Sequence, residues 1–262
     1  MMEKDGMIDE YSGWTFTISA ASDRGSVRER NEDYYGIFEP RTEEVRESRG
    51  VLVVVTDGMG GHFSGEEASR MVVEVMGDIY FAEAEEAKSA IETLDLAFRE
   101  ANKRVFNHVG NGRKGTAGTT CTSVALFPDH YNIAHAGDSR AYLIREGKIE
   151  QLTEDHSLVG EMVQKGLIDR EEAAKHPRRN VLTRAVGLRH KVAPDIHEGI
   201  SFKDGDKILL CSDGLFSMVP EDEIKSIVEK NNPKKACEKL IEAAISYGGD
   251  DNITAVVIHK DK

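Results

Sequence analysis

Five aspartates in this chain sit where apolar runs begin or end. Val51–Thr56 (VLVVVT) leads straight into Asp57-Gly58-Met59-Gly60-Gly61, and Lys207–Ser212 (KILLCS) into Asp213-Gly214. Tyr131–Ala136 leads into Gly137-Asp138-Ser139-Arg140, Asp250-Asp251-Asn252 precedes the run ITAVVI, and Asn31-Glu32-Asp33 precedes YYGIF. An Asp-Gly step after a strand is ordinarily a turn. Five of them are harder to dismiss, because strands of one sheet system can bring their ends to one edge and gather the carboxylates in one cleft. Such a cluster is self-repelling unless it binds hard cations, and an all-oxygen site suits Mg²⁺ or Mn²⁺. The pattern therefore points to a carboxylate-held dinuclear metal site. The nine histidines show no zinc spacing of the HExxH kind.

Other phosphate chemistries fail on spacing. A P-loop needs GxxxxGK[ST], and in Gly110–Gly115 the lysine precedes the final glycine. A Cys-x5-Arg nucleophile at Cys211 would need arginine at Ser217. Asp204-Gly205-Asp206 precedes a strand rather than capping one, and the kinase signature set is absent.

The elements that must hold the aspartates follow from periodicity. Strands are expected at Trp14–Ser19, Tyr34–Glu39, Val51–Thr56, Thr120–Phe127, Tyr131–Ala136, Ala141–Arg145, Lys207–Ser212 and Ile253–His259. The short gaps Phe127–Tyr131 and Ala136–Ala141 predict two antiparallel hairpins. Helices are expected at Gly65–Phe81, Lys88–Val109, Glu221–Glu229 and Pro233–Ser246. Residues 156–187 hold two short helical pieces and a basic run, His176-Pro-Arg-Arg-Asn180, and read as an inserted flap. Residues 1–13 read as a polar tail, and 14–262 as one α+β domain.

Composition agrees. The chain has 262 residues, 39% of them hydrophobic and 31% charged, with 34 Lys+Arg against 47 Asp+Glu and a net charge of −13. That surplus of acid argues against nucleic-acid or anionic-membrane partners. No apolar run reaches the ~20 residues of a membrane span, and the first 13 residues lack the pattern of a signal peptide, so the expected compartment is the cytoplasm. The cysteines Cys121, Cys211 and Cys237 form no CxxC pair; those at 121 and 211, in apolar runs, read as small core residues.

Eight segments in order carry a family resemblance: SDRGSVRERNEDYYG (22–36), VVVTDGMGGHFSGEEAS (53–69), GTTCTSVAL (118–126), AGDSRAYLI (136–144), TEDHSLV (153–159), HPRRNVLTRAVG (176–187), LLCSDGLF (209–216) and DDNITAVVI (250–258). Together they resemble the metal-dependent protein serine/threonine phosphatases of type 2C (the PPM family), bacterial branch, over nearly the whole chain. The resemblance implies a four-layer α/β-β/α sandwich of two antiparallel sheets flanked by helices. It implies hydrolysis of phosphoserine and phosphothreonine by a hydroxide bridging two Mn²⁺ or Mg²⁺ ions. In the family's pattern Asp57 bridges both ions, the Gly58 carbonyl ligates one, and Asp213 and Asp251 complete the second ion's shell. Asp33 lies close, partly through bound waters, with Glu32 as a further candidate beside it. Asp138 matches the position that helps hold a third ion. Arg28 matches the phosphate-binding arginine, whose planar fork suits two phosphate oxygens.

One position departs from the pattern: where eukaryotic relatives carry a histidine proposed as general acid, this chain has Met59. His62 or a metal-bound water is then the candidate donor, with a structural turn the favoured reading of His62. The flap arginines Arg178, Arg179 and Arg184 are either solvated or help dock an acidic phosphopeptide. The implied partners are phosphorylated Ser/Thr proteins, including a cognate kinase, and a monomer is expected. A phosphatase dedicated to one switch protein is the narrower alternative. A non-catalytic binding relative is the remote one, because such relatives lose metal carboxylates and all five stand here.

Overall fold

The structure is a computed structural model that describes residues 8–13, 15–60, 64–82, 89–108 and 117–261. Twelve strands and eight helices are found among them. The apolar run at 51–56 lies in β4 (Val51–Gly60), and its alternation explains the architecture. Val51, Val53 and Val55 face one core, with Phe16, Ile18, Ile133, Leu143, Leu210 and Val256. Leu52 and Val54 face a second core, with Val72, Met76, Leu94 and Phe98. A strand buried on both faces loses the polar alternation of a half-exposed strand.

The first of those cores lies between two sheets. One is ordered β1(Ile8–Gly13)-β2(Phe16–Asp23)-β12(Ile253–Lys260)-β11(Lys207–Cys211)-β8(Arg140–Arg145)-β9(Lys148–Gln151). The other is ordered β10(Asp195–Ser201)-β7(His130–Ala136)-β6(Cys121–Leu126)-β4-β3(Asp33–Phe38), with β5(Ala117–Thr119) also on β4. All pairings are antiparallel. Helices α2(Ser64–Tyr80) and α3(Ala90–His108) cover the second sheet. On the outer face of the first sheet, α7(Glu221–Lys230) and α8(Pro233–Ser246) close a third core with Leu209, Cys211, Ala255 and Val257. The outcome is the expected four-layer α+β sandwich. All three cysteines are free and buried, and burial pushes the Cys211 thiol up to about 12. No described helix is long and apolar enough to cross a membrane.

Three expectations are corrected. Residues 8–13, read as tail, form the edge strand β1 in register with β2. The strand expected to end at Thr56 runs on through Asp57-Gly58 to Gly60 and pairs with β5. The gap at 136–141 is not a hairpin: β7 pairs with β6 and β10, whereas β8 pairs with β11 and β9 in the opposite sheet. The chain crosses between sheets at Gly137, whose φ of +124 favours glycine and whose missing β-carbon would lie 2.5 Å from Thr120 Cβ. That crossing places Asp138 between the two sheet ends.

The flap expected over 156–187 contains α4(Leu158–Gln164) and α5(Arg170–Lys175). Ser157 caps the first, and an Asp169/Glu172 capping box opens the second. Among the attachments that tie the flap down, Thr119 and Val186 bridge, and the His156 N–H donates to the Gly137 carbonyl at 2.7 Å.

Candidate metal and phosphate site

Asp33 opens β3 and stands directly across from Asp57 on β4. Asp213 opens the short helix α6(Asp213–Phe216) where β11 ends, and Asp251 lies two residues before β12. With Asp138 at the sheet crossing, all five aspartates meet at one end of the sandwich, as the motif order requires. Asp33 and Asp57 are held from behind. Asp33 Oδ2 accepts from Ser212 Oγ at 2.6 Å. The Asp57 N–H donates to Thr120 Oγ1 at 2.8 Å, and Thr119 Oγ1 donates to the Asp57 carbonyl at 2.8 Å. Thr120 Oγ1 in turn meets Ser139 Oγ at 2.7 Å, next to Asp138.

Electrostatics define the cluster. Burial, followed by repulsion from Asp33, Asp213, Asp138 and Asp251, holds the Asp57 carboxyl well above the usual carboxylate range. Burial pushes Asp33 up to about 7, against hydrogen bonds from Ser212 and Thr254. Asp213 rises to about 6, through burial first and Asp251 next. Asp138 is raised by burial and by Asp213.

Asp33 Oδ1 and Asp213 Oδ1 are buried with no hydrogen-bond partner. Buried anionic oxygens left open in this way are costly and are what a hard divalent cation takes up. Among the described residues no group of three or more His, Cys, Asp or Glu side chains is closed into a ready ligand cage. The donor set is all oxygen and fits a hard divalent cation chemically.

Arg28 reaches this cluster from the loop before β3. Its Nη2 donates to Asp251 Oδ2 at 2.6 Å, and its side chain is 50% exposed. Burial opposes the guanidinium charge, but Asp251, with Asp213 and Asp57 behind it, outweighs burial and raises its pKa. Glu32 is half-buried beside the cluster, and burial raises its carboxyl. Its backbone carbonyl accepts from the Gly58 N–H at 3.1 Å. A β-carbon on Gly58 would lie 2.3 Å from the Gly65 carbonyl oxygen and 2.7 Å from that of Glu32, so only glycine lets β4, α2 and the loop meet here. His62 lies outside the described residues. Met59 is described, and its thioether has no proton to donate.

Four supporting residues escape a motif reading that looks for charge: Ser212, Thr119, Thr120 and Asn252. Asn252 Nδ2 donates to the carbonyls of Arg24 and Arg30, at 2.9 and 2.8 Å, and its Oδ1 accepts from the Glu32 N–H at 2.8 Å. It thereby ties the Arg28 loop to the start of β12. Its place in the Asp-Asp-Asn step was the available signal. Arg140 of the GDSR motif points elsewhere, forking onto Asp155 at 2.9 and 2.7 Å and lying 3.7 Å over the Phe216 ring. Of the flap arginines, Arg184 pairs with Asp195, while Arg178 and Arg179 are exposed.

Comparison with known proteins agrees with this geometry. The family model described as Protein phosphatase 2C matches residues 26–243. The chain is 39% identical over 248 residues to the serine/threonine phosphatase stp of Listeria monocytogenes, covering 92% of this chain and 94% of that protein. The crystal structure of the Mycobacterium tuberculosis serine/threonine phosphatase PstP/Ppp superposes with a TM-score of 0.81 at 33% identity, over 94% of this chain and 99% of that one. The catalytic domain of a phosphatase named PstP, solved in complex with two manganese ions, superposes at 0.79 with 32% identity, over 94% and 99%. With the strand order, the five gathered carboxylates and the matched span in agreement, the chain belongs to the protein phosphatase 2C family.

Proposed function

We propose that this chain removes phosphate from phosphoserine and phosphothreonine on proteins, using two Mn²⁺ or Mg²⁺ ions, and that it opposes a serine/threonine kinase of the cytoplasm as a monomer, without nucleic-acid or membrane partners. The observation that carries the reading is the meeting of five aspartates, two with orphaned buried oxygens, beside a half-exposed arginine. Asp57, the Gly58 carbonyl, Asp213, Asp251 and Asp33 would hold the two ions, and Asp138 a third. Bound there, the cations would supply Lewis acidity toward the phosphoryl oxygens and a water that ionises near neutral pH.

The chain's own groups do the rest. Arg28 presents a planar fork to the phosphoryl oxygens, and its pairing with Asp251 keeps it aimed at the cluster between turnovers. Ser212 and Thr120 hold Asp33 and the Asp57 backbone in place, so that little reorganisation is needed as charge develops. Glu32 bounds the site on the α2 side. No side-chain nucleophile is required, consistent with a buried Cys211 whose thiol resists ionisation.

The test is chelator-treated protein assayed on a phosphothreonine peptide with Mn²⁺ or Mg²⁺ added back, beside Asp213→Ala. Activity is expected to require the metal and to fall by at least about 10²-fold in the variant. Full turnover in excess chelator would refute the mechanism.

A further inference from the structure

Asp138 stands between β7 and β8, where the chain changes sheets, and its backbone hangs on a glycine. Gly137 has a φ of +124, and glycine is the residue least able to hold its own dihedrals. Both of its backbone polar groups go to one residue, His156. The Gly137 N–H donates to His156 Nδ1 at 3.1 Å, and the Gly137 carbonyl accepts from the His156 N–H at 2.7 Å. Those two bonds fix the peptide planes on either side of Gly137, and the second plane ends on the Asp138 nitrogen. On the far side Ser139 is pinned in turn. Its carbonyl accepts from Thr122 Oγ1 at 3.1 Å, and its Oγ meets Thr120 Oγ1 at 2.7 Å.

The imidazole is itself held. His156 is buried, and its ring stacks on that of His135 with centroids 4.8 Å apart. Burial, outweighing the hydrogen bond to Asp195, keeps its pKa below the ordinary histidine value. Because Nδ1 accepts from an N–H it carries no proton, so the proton of the neutral ring is on Nε2. Nε2 lies 2.8 Å from Asp195 Oδ2, which accepts that hydrogen bond. The bond made at one ring nitrogen decides what the other can do. A ring protonated at Nδ1 would set two donors against each other at Gly137.

We propose that His156 is a positioning residue for Asp138, gripping Gly137 through both ring and backbone, and that Asp195 holds the imidazole in the tautomer this grip requires. The inference rests on the phosphatase reading above, in which Asp138 would hold a third cation. His156 acts through Gly137 and not at the reacting atoms. Groups that orient a metal ligand from behind are worth about 10–100-fold in metal affinity.

The test is Mn²⁺ binding by titration calorimetry on the full chain, for wild type, Asp138→Ala, His156→Ala, Asp195→Ala and Asp195→Asn. Asp138→Ala identifies the ion that depends on Asp138, as the binding step it weakens most. His156→Ala is expected to weaken that step by about tenfold and to leave the tighter steps unchanged. Added to Asp138→Ala, it should have no further effect. Asp195→Ala leaves the His156 ring in place and should weaken the same step, so it serves where His156→Ala does not fold. Asp195→Asn keeps an acceptor for Nε2–H and should bind as wild type does, which separates this hydrogen bond from the charge Asp195 shares with Arg184. Nitrogen-15 NMR of histidine-labelled protein reads the ring without reference to metal: His156 should be protonated at Nε2 in wild type, with the other tautomer appearing in Asp195→Ala. A wild-type ring protonated at Nδ1 overturns the proposal, as does an Asp138-dependent step that His156→Ala leaves unchanged or weakens no more than the others. Wild-type binding by Asp138→Ala would take Asp138 out of the metal site, and the proposal with it, while the phosphatase reading stood. No Mn²⁺ bound by wild type would overturn that reading as well.

Discussion

A carboxylate that is to hold a metal must be tolerated by the fold before any cation arrives, and Asp57 carries that cost. Burial and four neighbouring aspartates raise its carboxyl pKa, and Asp33 rises to about 7. A carboxyl that binds its proton more tightly folded than unfolded gives the native state extra protons between the two values. Stability then falls as pH rises through that window, from near pH 4 to about pH 7 for Asp33. Metal-free protein is therefore expected to have a lower thermal midpoint at pH 8 than at pH 6. Asp57→Asn should raise the metal-free midpoint at pH 8 by several degrees, because it removes one charge from the cluster and about 1 kcal/mol shifts the midpoint of a domain this size by about 2–4 °C. The same variant should lose catalysis. Scanning calorimetry in chelator at the two pH values checks both, and a midpoint lowered by Asp57→Asn would contradict the account.

At the scale of elements, the site is a junction of the Arg28 loop, the end of β4, the β7–β8 crossing and the start of β12, and Asn252 joins the first to the last. Asn252→Ala removes three hydrogen bonds to the loop, each contributing about 0.5–1.5 kcal/mol. It leaves every proposed ligand in place. The expected result is a kcat/KM on phosphopeptide lowered about tenfold or more, chiefly through KM, with a thermal midpoint down by a few degrees. An unchanged KM would mean that the loop holds its shape without Asn252. The sequence displays the junction's acids, because each follows or precedes an apolar run, but not its hydrogen-bonding residues. Ser212, Thr120 and Asn252 have no periodicity and no charge, and their partners are distant in sequence. The crossing at Gly137 was misread for a related reason: a short gap between strands has the same length whether the chain turns back or changes sheets. Edge strands β1, β9 and β10, with sequences IDEYSG, KIEQ and DIHEGIS, carry little apolar alternation, as edges facing water do. By contrast VLVVVT announced a strand, and a run apolar on both faces fits the place between two layers that β4 takes.

The whole molecule sets a problem that the site alone does not solve. A chain with a net charge of −13 repels an acidic phosphoprotein until it comes within reach of the site, and over such distances the field is screened by salt. Two features act against that repulsion. Divalent cations would nearly neutralise the five carboxylates, and the flap extends positive charge outward. Within the flap the arginines divide by partner. Arg184 spends its charge on Asp195, whereas Arg178 and Arg179 are exposed just beyond α5 and form no ion pair among the described residues. The flap is fastened to the site end through Thr119–Val186 and His156–Gly137, so charge placed on it is carried at the rim. The double variant Arg178→Glu/Arg179→Glu is therefore expected to raise KM for an acidic phosphoprotein several-fold at low ionic strength. The effect should fade as added salt shortens the screening length from about 10 Å at 0.1 M toward about 3 Å at 1 M. KM for a small aryl phosphate should move far less, because that substrate does not span the flap. A steady-state salt series on both substrates is the measurement. A KM rise that persisted in 1 M salt would assign these arginines to direct contact rather than steering, and an unchanged KM at low salt would remove the flap from substrate capture.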